Sequence, residues 1–511
     1  MKFYITTPIY YVNDVPHIGH SYTTIAADVL ARWKRLNNYD VFFLTGTDEH
    51  GAKIAKAAKE KGVLPQDLCS EMSAKFKEAW QLLNISYTDF IRTTKPRHVK
   101  SVENIVQTLF DKQLIFKKKY EGFYCIGCER FYTAKDLDEN GCCLLHKTKP
   151  VLQAEENYFF KLSTFGDELL KRITDPTHKE YIQIQPEGRK NEIIGKLELG
   201  LEDISISRTA IDWGIPLPFD KSQTVYVWVD ALINYLTGIG FPNEEFKKYW
   251  PADVHLMAKD ILWFHSVIWP AILVGAELEL PKKIYSHGFF TLNGDKMSKS
   301  LGNVISPEEL VNKYGVDSTR YLIVTLIPFG PDGDISWEGL TLKYNTDLAN
   351  NLGNLLSRTL KMAEKNFNNT VPPQTEPNLC LVKQLNDILK ENFVYNMENI
   401  QLHKASENIQ SAITFINKQI EQEAPWKLAK IDKDKLASCI YSYLQAIDII
   451  AMYLLCFMPE IAQKIWLSTG ASGNIEETAK KYFADFNIPD DGFSVASSKL
   501  KNQTILFPRI S

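Results

Sequence analysis

Long apolar runs are scarce in this sequence. The longest, 449–458, is too short to span a bilayer and reads as a core helix. The N-terminus carries one lysine and then Thr-, Pro- and Tyr-containing sequence, not an apolar signal region, so no membrane partner is expected. Neither charge sign is in excess: 58 Lys and Arg stand against 62 Asp and Glu, a net charge of −4. Bulk charge therefore does not advertise a polynucleotide. DNA is not expected as a partner, and any RNA contact must come from local basic surface. Internal repeats and low-complexity tracts are missing too. Cysteines number eight, and four of them, Cys125, Cys128, Cys142 and Cys143, fall within twenty residues. That spacing is no disulfide framework; it points to a reducing cytoplasm and a metal site.

What is present is a chain of 511 residues, 45% hydrophobic, enough for roughly three domains. Residues 3–10 have strand character. His17-Ile18-Gly19-His20 closes this strand and opens a helix, because Ile25, Ala26, Val29, Leu30, Trp33 and Leu36 recur at helical spacing up to Asn37-Asn38. A strand, a tight loop and a helix N-terminus form an anion site through free backbone N–H groups. His17 and His20 share one side of the first turn, and Gly19 lets a flat ring approach the backbone. Taken alone, the tetrad also reads as a helix start with two solvated histidines. Far downstream, Lys296-Met297-Ser298-Lys299-Ser300 lies between Gly294 and Gly302. Two ammonium groups and two hydroxyls on a glycine-bounded loop suit phosphate oxygens and a closing motion, although a solvated basic turn has the same composition.

Between these stretches, Val41-Phe42-Phe43-Leu44 reads as a buried strand leading into Thr45-Gly46-Thr47-Asp48-Glu49-His50-Gly51. Such a loop is where open α/β sheets keep ligands. Asp48 is suited to an ammonium group, or is a plain loop carboxylate or helix cap. Cys125 and Cys128 precede Cys143 and His146 in a C-x2-C-x14-C-x2-H pattern, the donor set of a structural Zn2+ site. Cys142 is an alternative to Cys143, and free loop cysteines are the alternative to a metal. Residues 225–231 read as a strand resuming the sheet, followed by 255–260, an aromatic-rich helix from Ile261, and 284–290 feeding the lysine loop. Beyond about 345 glycine becomes rare and helices are expected at 346–366, 379–394, 402–420 and 436–458. Asn354 and Arg358 lie four apart on one helix face. Trp426 follows a helix-starting Pro425 and by spacing alone reads as core.

This order predicts an α/β fold: a Rossmann-like parallel sheet split by a zinc-knuckle insertion, followed by a C-terminal α-helical bundle. The expected boundaries are 1–116 and 222–290 for the two sheet halves, 117–221 for the insertion, 291–345 for a linking region with the lysine loop, and 346–511 for the bundle.

His-Ile-Gly-His near the start together with Lys-Met-Ser-Lys-Ser far downstream resembles the class I aminoacyl-tRNA synthetases. Thr-Pro-Ile-Tyr-Tyr-Val-Asn, Gly-Thr-Asp-Glu-His-Gly, the cysteine knuckle, Val-Trp-Val-Asp-Ala and Asn-Leu-Leu-Ser-Arg extend the resemblance over the whole chain to the methionyl-tRNA synthetase family. The resemblance implies a ligase that activates L-methionine with Mg-ATP and transfers it to tRNA(Met). It implies His17, Gly19, His20, Asp260, His287, Phe290 and Lys299 at ATP, with His17, His20, Lys296 and Lys299 taking part in catalysis. Asp260 would hold the ribose, and His287 with Phe290 would border the adenine. Asp48 would pair with the amino group of methionine. Ile9, Tyr11, Trp228, Ala231, Leu232, Tyr235, Phe264 and His265 would enclose the thioether side chain, where aromatic edges contact sulfur favourably. Asn354, Arg358 and Trp426 would read the CAU anticodon. The chain departs from the family pattern at Ala258, where glycine is common, and at Leu232, where some members have proline. It also lacks the dimerising extension of longer members, so a monomer is expected. Another class I synthetase for an apolar amino acid, a small nucleotidyltransferase and a non-catalytic tRNA-binding paralogue stand as alternatives.

Overall fold

The computed structural model describes all residues except 126–129, 133–136, 145–146, 210–212, 298–301, 374–378, 488–491 and 502–504. Its centre is a six-stranded, all-parallel sheet. The strands are β1 (Lys2–Tyr11), β2 (Asp40–Asp48), β3 (Asp89–Arg92), β4 (Gln183–Gln185), β5 (Val254–Ala258) and β6 (Lys283–His287), in the order β3-β2-β1-β5-β6-β4. The chain reverses direction across the sheet between β1 and β5, which pair Ile5 with Val254 and Thr6 with His255. A crevice at the carboxyl ends of strands either side of such a reversal is where open α/β sheets bind ligands. Gly46 in β2 has a steric reason to be glycine. A Cβ there would meet the Ile91 carbonyl oxygen at 2.1 Å, so only glycine allows β2 and β3 to approach this closely.

Two elements depart from the sequence expectation. Residues 225–231 do not resume the sheet: only Thr224–Val225 is extended, and α3 (Val227–Leu232) follows at once, leading into α4 (Asn234–Thr237). The sheet instead takes β4 from inside 117–221, pairing it with β6. The expected insertion is therefore interrupted by an edge strand of the catalytic sheet. Its own strands, Ile115–Cys125 and Val151–Phe160, belong to a separate four-stranded antiparallel sheet.

The helical C-terminal half contains α6 (Asn354–Phe367), α7 (Leu379–Glu398), α8 (Leu402–Glu423), α9 (Lys433–Leu454) and α10 (Pro459–Ser468). The expected helix at 346–366 begins as wider, π-helical turns over Tyr344–Gly353 before tightening into α6. Helix α9 has the length and apolar character to cross a membrane, yet it is buried inside the bundle from Leu436 to Leu454. The bundle and the sheet share one continuous core through α1 (Ile18–Leu36) and α5 (Val316–Thr325). At their junction the fully buried Arg320 of α5 gives hydrogen bonds to Asp28 Oδ2 in α1 (2.7 Å), Leu83 O (3.0 Å) and Phe457 O (3.1 Å). Burial alone would raise the Asp28 carboxyl, but Arg32, Arg320 and Ser86 hold it well below the usual range.

Candidate active site

One cavity of about 560 Å³ opens beyond the carboxyl ends of β1, β2, β5 and β6. It gathers all but one of the residues expected at ATP and methionine. Of those expected at ATP, His17, Gly19, His20, Asp260, His287 and Phe290 line it, and of those expected at methionine, Ile9, Tyr11, Asp48, Trp228, Ala231, Leu232, Tyr235, Phe264 and His265 do. Lys299 lies outside the described residues. Lys296 is exposed in the short strand Asp295–Lys296, and its charge acts on the Asp260 carboxyl. Downstream of the loop, Ile305 O accepts the Ile18 N–H at 2.9 Å, and Ser306 with Glu309 caps the helix Pro307–Tyr314. The trailing end of the lysine loop is therefore fastened to the first turn of α1.

The tetrad is built differently from the simple anion cradle. His17 is the N-cap of α1: its Nδ1 accepts the Gly19 N–H at 3.1 Å, and His20 Nδ1 accepts the His17 N–H at 3.3 Å. The two rings stack, with centroids 3.8 Å apart and planes at 24°. A Cβ at Gly19 would crowd the His17 ring at 3.0 Å. The ring that approaches the backbone is thus the protein's own, and the backbone N–H groups of residues 17, 18 and 19 are already used. With both Nδ1 atoms accepting, each neutral ring carries its proton on Nε2. Burial, and then the neighbouring His17, keep His20 well below the ordinary histidine range, so it is neutral at pH 7.

Two other imidazoles are held in the opposite tautomer. His287 Nδ1 lies 2.7 Å from Gly288 O and its Nε2 lies 2.7 Å from Thr23 Oγ1; His265 Nδ1 lies 2.9 Å from Ile261 O and its Nε2 lies 2.6 Å from Tyr235 Oη. A carbonyl oxygen only accepts, so each Nδ1 donates and each Nε2 accepts a hydroxyl proton. Burial lowers both pKa values to about 4. Trp228 and Phe264 stack at 3.8 Å, and Tyr11 meets Trp228 edge-on at 6.3 Å, giving the cavity a flat aromatic wall.

Sequence reasoning missed Thr23, Asn13, Asp14, Lys53, Phe289 and Tyr132, which also line the cavity. Thr23 and Phe289 adjoin recognised motifs, one turn beyond Gly19 and two residues after His287. Tyr132 comes from the insertion, whose folding against the site had no signal in the sequence. In the insertion, Cys125, Cys143 and Tyr132 are buried in one small cluster, with Cys143 Sγ 3.6 Å from Tyr132 Oη, while Cys142 is partly exposed. Cys128 and His146 lie outside the described residues, and among the described residues no three His, Cys, Asp or Glu side chains gather as metal ligands. In the bundle Asn354 and Trp426 are exposed, so Trp426 is not core. Arg358 reaches Glu421, near the end of α8 and five residues before Trp426, at 3.7 Å.

Residues 3–142 and 134–360 match the family described as class I tRNA synthetases (M), and residues 372–487 match the anticodon-binding domain of methionyl-tRNA ligase. The chain belongs to the class I methionyl-tRNA synthetase family. Methionine–tRNA ligase of Caldanaerobacter subterraneus subsp. tengcongensis is 44% identical over 99% of this chain and 79% of its own length. That of Thermotoga maritima is 42% identical over 97% and 79%. Among solved structures, Mycobacterium tuberculosis methionyl-tRNA synthetase in complex with methionyl-adenylate superposes with a TM-score of 0.93 at 38% identity, covering 100% of both chains. The free form of that synthetase gives 0.85 at 35% identity, covering 100% of this chain and 99% of its own. The α/β sheet with its C-terminal helical domain is therefore the architecture of methionyl-tRNA synthetases.

Proposed function

We propose that this chain is a methionine–tRNA ligase. It joins L-methionine to ATP as methionyl-adenylate, then passes the methionyl group to the 3′-terminal adenosine of tRNA(Met), the initiator included. The observation that carries this reading is that one cavity brings the aromatic rings of Tyr11, Trp228 and Phe264 and the Asp48 carboxylate together with the stacked imidazoles of His17 and His20. An adenylate needs both kinds of surface.

In the first step a methionine carboxylate oxygen attacks the α-phosphorus of Mg-ATP. A new O–P bond forms, the bond to the bridging oxygen breaks, and pyrophosphate leaves. Positioning and electrostatics account for most of the catalysis in such a displacement. His17 and His20 donate Nε2–H to phosphate oxygens; Lys296 and Lys299 offset charge on the departing pyrophosphate. Asp260 accepts from ribose hydroxyls. His287 has both nitrogens engaged by Gly288 and Thr23, so it offers adenine a ring face, beside Phe290. Asp48 pairs with the methionine ammonium. The sulfur lies against the Tyr235 and His265 rings, and an unbranched side chain fits between Ile9, Tyr11, Trp228, Ala231, Leu232 and Phe264. In the second step the tRNA 2′-hydroxyl attacks the adenylate carbonyl carbon and AMP leaves. Asn354, Arg358 and Trp426 read the anticodon by hydrogen bonding and stacking; the exposure of Asn354 and Trp426, with half-buried Arg358 3.7 Å from Glu421, supports this.

Cys125, Cys128, Cys143 and His146 would hold Zn2+. The chemistry of the donor set and the shared burial of Cys125 and Cys143 fit a closed site, which would supply stability to the insertion and no step of the reaction. The test is ATP–pyrophosphate exchange across the twenty amino acids, with metal analysis of the same preparation. Exchange is expected with methionine alone, with about one zinc per chain. Lys299→Ala should abolish exchange while sparing methionine binding. Exchange with a different amino acid, or none, overturns the assignment.

A further inference from the structure

Helix α3 has two working faces. Trp228, Ala231 and Leu232 line the cavity, whereas Asp230 is fully buried and is not among the cavity's lining residues. Each of its carboxylate oxygens holds one imidazole: Oδ2 is 2.7 Å from His50 Nδ1, and Oδ1 is 2.7 Å from His98 Nε2. His50 lies two residues beyond Asp48, in the loop after β2. His98 lies in the first turn of α2 (Pro96–Asp111), and its Nδ1 is 3.1 Å from Thr237 Oγ1 in α4, two residues after Tyr235. One carboxylate therefore ties together the loop that carries Asp48, the helix that carries Trp228, and the helix that carries Tyr235. A buried carboxylate is costly unless fully paired, so this position is not an ordinary core site. The neighbouring Glu49 is pinned on the other side by Arg92, at 2.6 and 3.1 Å, so His50 is the loop's fastening to α3.

We propose that Asp230 is a positioning residue that sets the spacing between the carboxylate end and the aromatic wall of the methionine subsite. This rests on assigning that part of the cavity to methionine. Asp230 touches neither substrate. Its effect is on how well Asp48 and Trp228 can engage one molecule at once, a distance to which binding is steeply sensitive.

The test uses the full chain in methionine-dependent ATP–pyrophosphate exchange, with methionine and ATP varied separately. Asp230→Ala should raise KM for methionine roughly tenfold or more while KM for ATP stays within about twofold. Asp230→Asn, which keeps two hydrogen-bonding atoms in place, should fall between. His50→Gln should recover most of what His50→Ala loses, and this pair carries the test if Asp230→Ala does not fold. An unchanged KM for methionine overturns the proposal. So does an equal rise in both KM values, or a His50→Gln variant no better than His50→Ala. The wild-type chain separates the two questions. Absence of methionine-dependent exchange in it removes the subsite assignment, whereas an active wild type with unaffected variants removes only the role of Asp230.

Discussion

Three consecutive residues, Asp48, Glu49 and His50, show how finely roles are divided at the residue scale. The first faces the cavity, the second holds Arg92, and the third holds Asp230. Only the first was expected at a site, and that through the family resemblance; the other two answer to residues far away in the chain. The His17–His20 pair was legible as a site but not as a geometry. Helix-capping by imidazole depends on ring orientation, which spacing does not encode. A further buried residue has a measurable pH signature. Asp448 of α9 accepts from the Thr469 hydroxyl at 2.5 Å and from the Ser494 hydroxyl, and burial raises its pKa to about 7. With the folded value above the unfolded one of 3.8, its favourable contribution is fully present below about pH 4 and is lost as pH rises through about 7. Asp448→Asn should therefore gain stability relative to the parent as pH climbs from 5 to 8, read from unfolding midpoints at the two pH values.

At the scale of elements, α1 was readable from its apolar spacing, and so were the bundle helices, because long amphipathic periods are hard to mistake. Residues 225–231 were not. A short run of Val, Tyr, Val, Trp and Val buried nearly all round has no period to separate helix from strand, and its β-branched residues favour the wrong choice. The edge strand β4 escaped for a similar reason: three residues carry no alternation worth reading. The contact between α1, α5 and the turn after α9 was also invisible, since it depends on one arginine finding an aspartate 292 residues away. Removing that side chain leaves Asp28 with Arg32 and Ser86 only partly compensated and takes a donor from Leu83 O and Phe457 O. Arg320→Leu should cost about 3–5 kcal/mol, seen as a lower urea midpoint. Arg320→Lys should recover little, because one ammonium group cannot reproduce the fork.

At the scale of the whole molecule, catalytic sheet and bundle are one packed body, with the cavity at the sheet's topological switch and the exposed Trp426 on the bundle. That arrangement suits a substrate long enough to touch both. It also sets how the protein fails. Helix α9 is mainly apolar and buried all round from Leu436 to Leu454, screened by its neighbours. Once heat loosens those neighbours, the nineteen buried residues from Leu436 to Leu454 meet water together, and collision with a second molecule is quicker than reclosure. Inactivation by heat should accordingly be irreversible, faster at higher protein concentration and dependent on scan rate, with light scattering rising alongside lost activity.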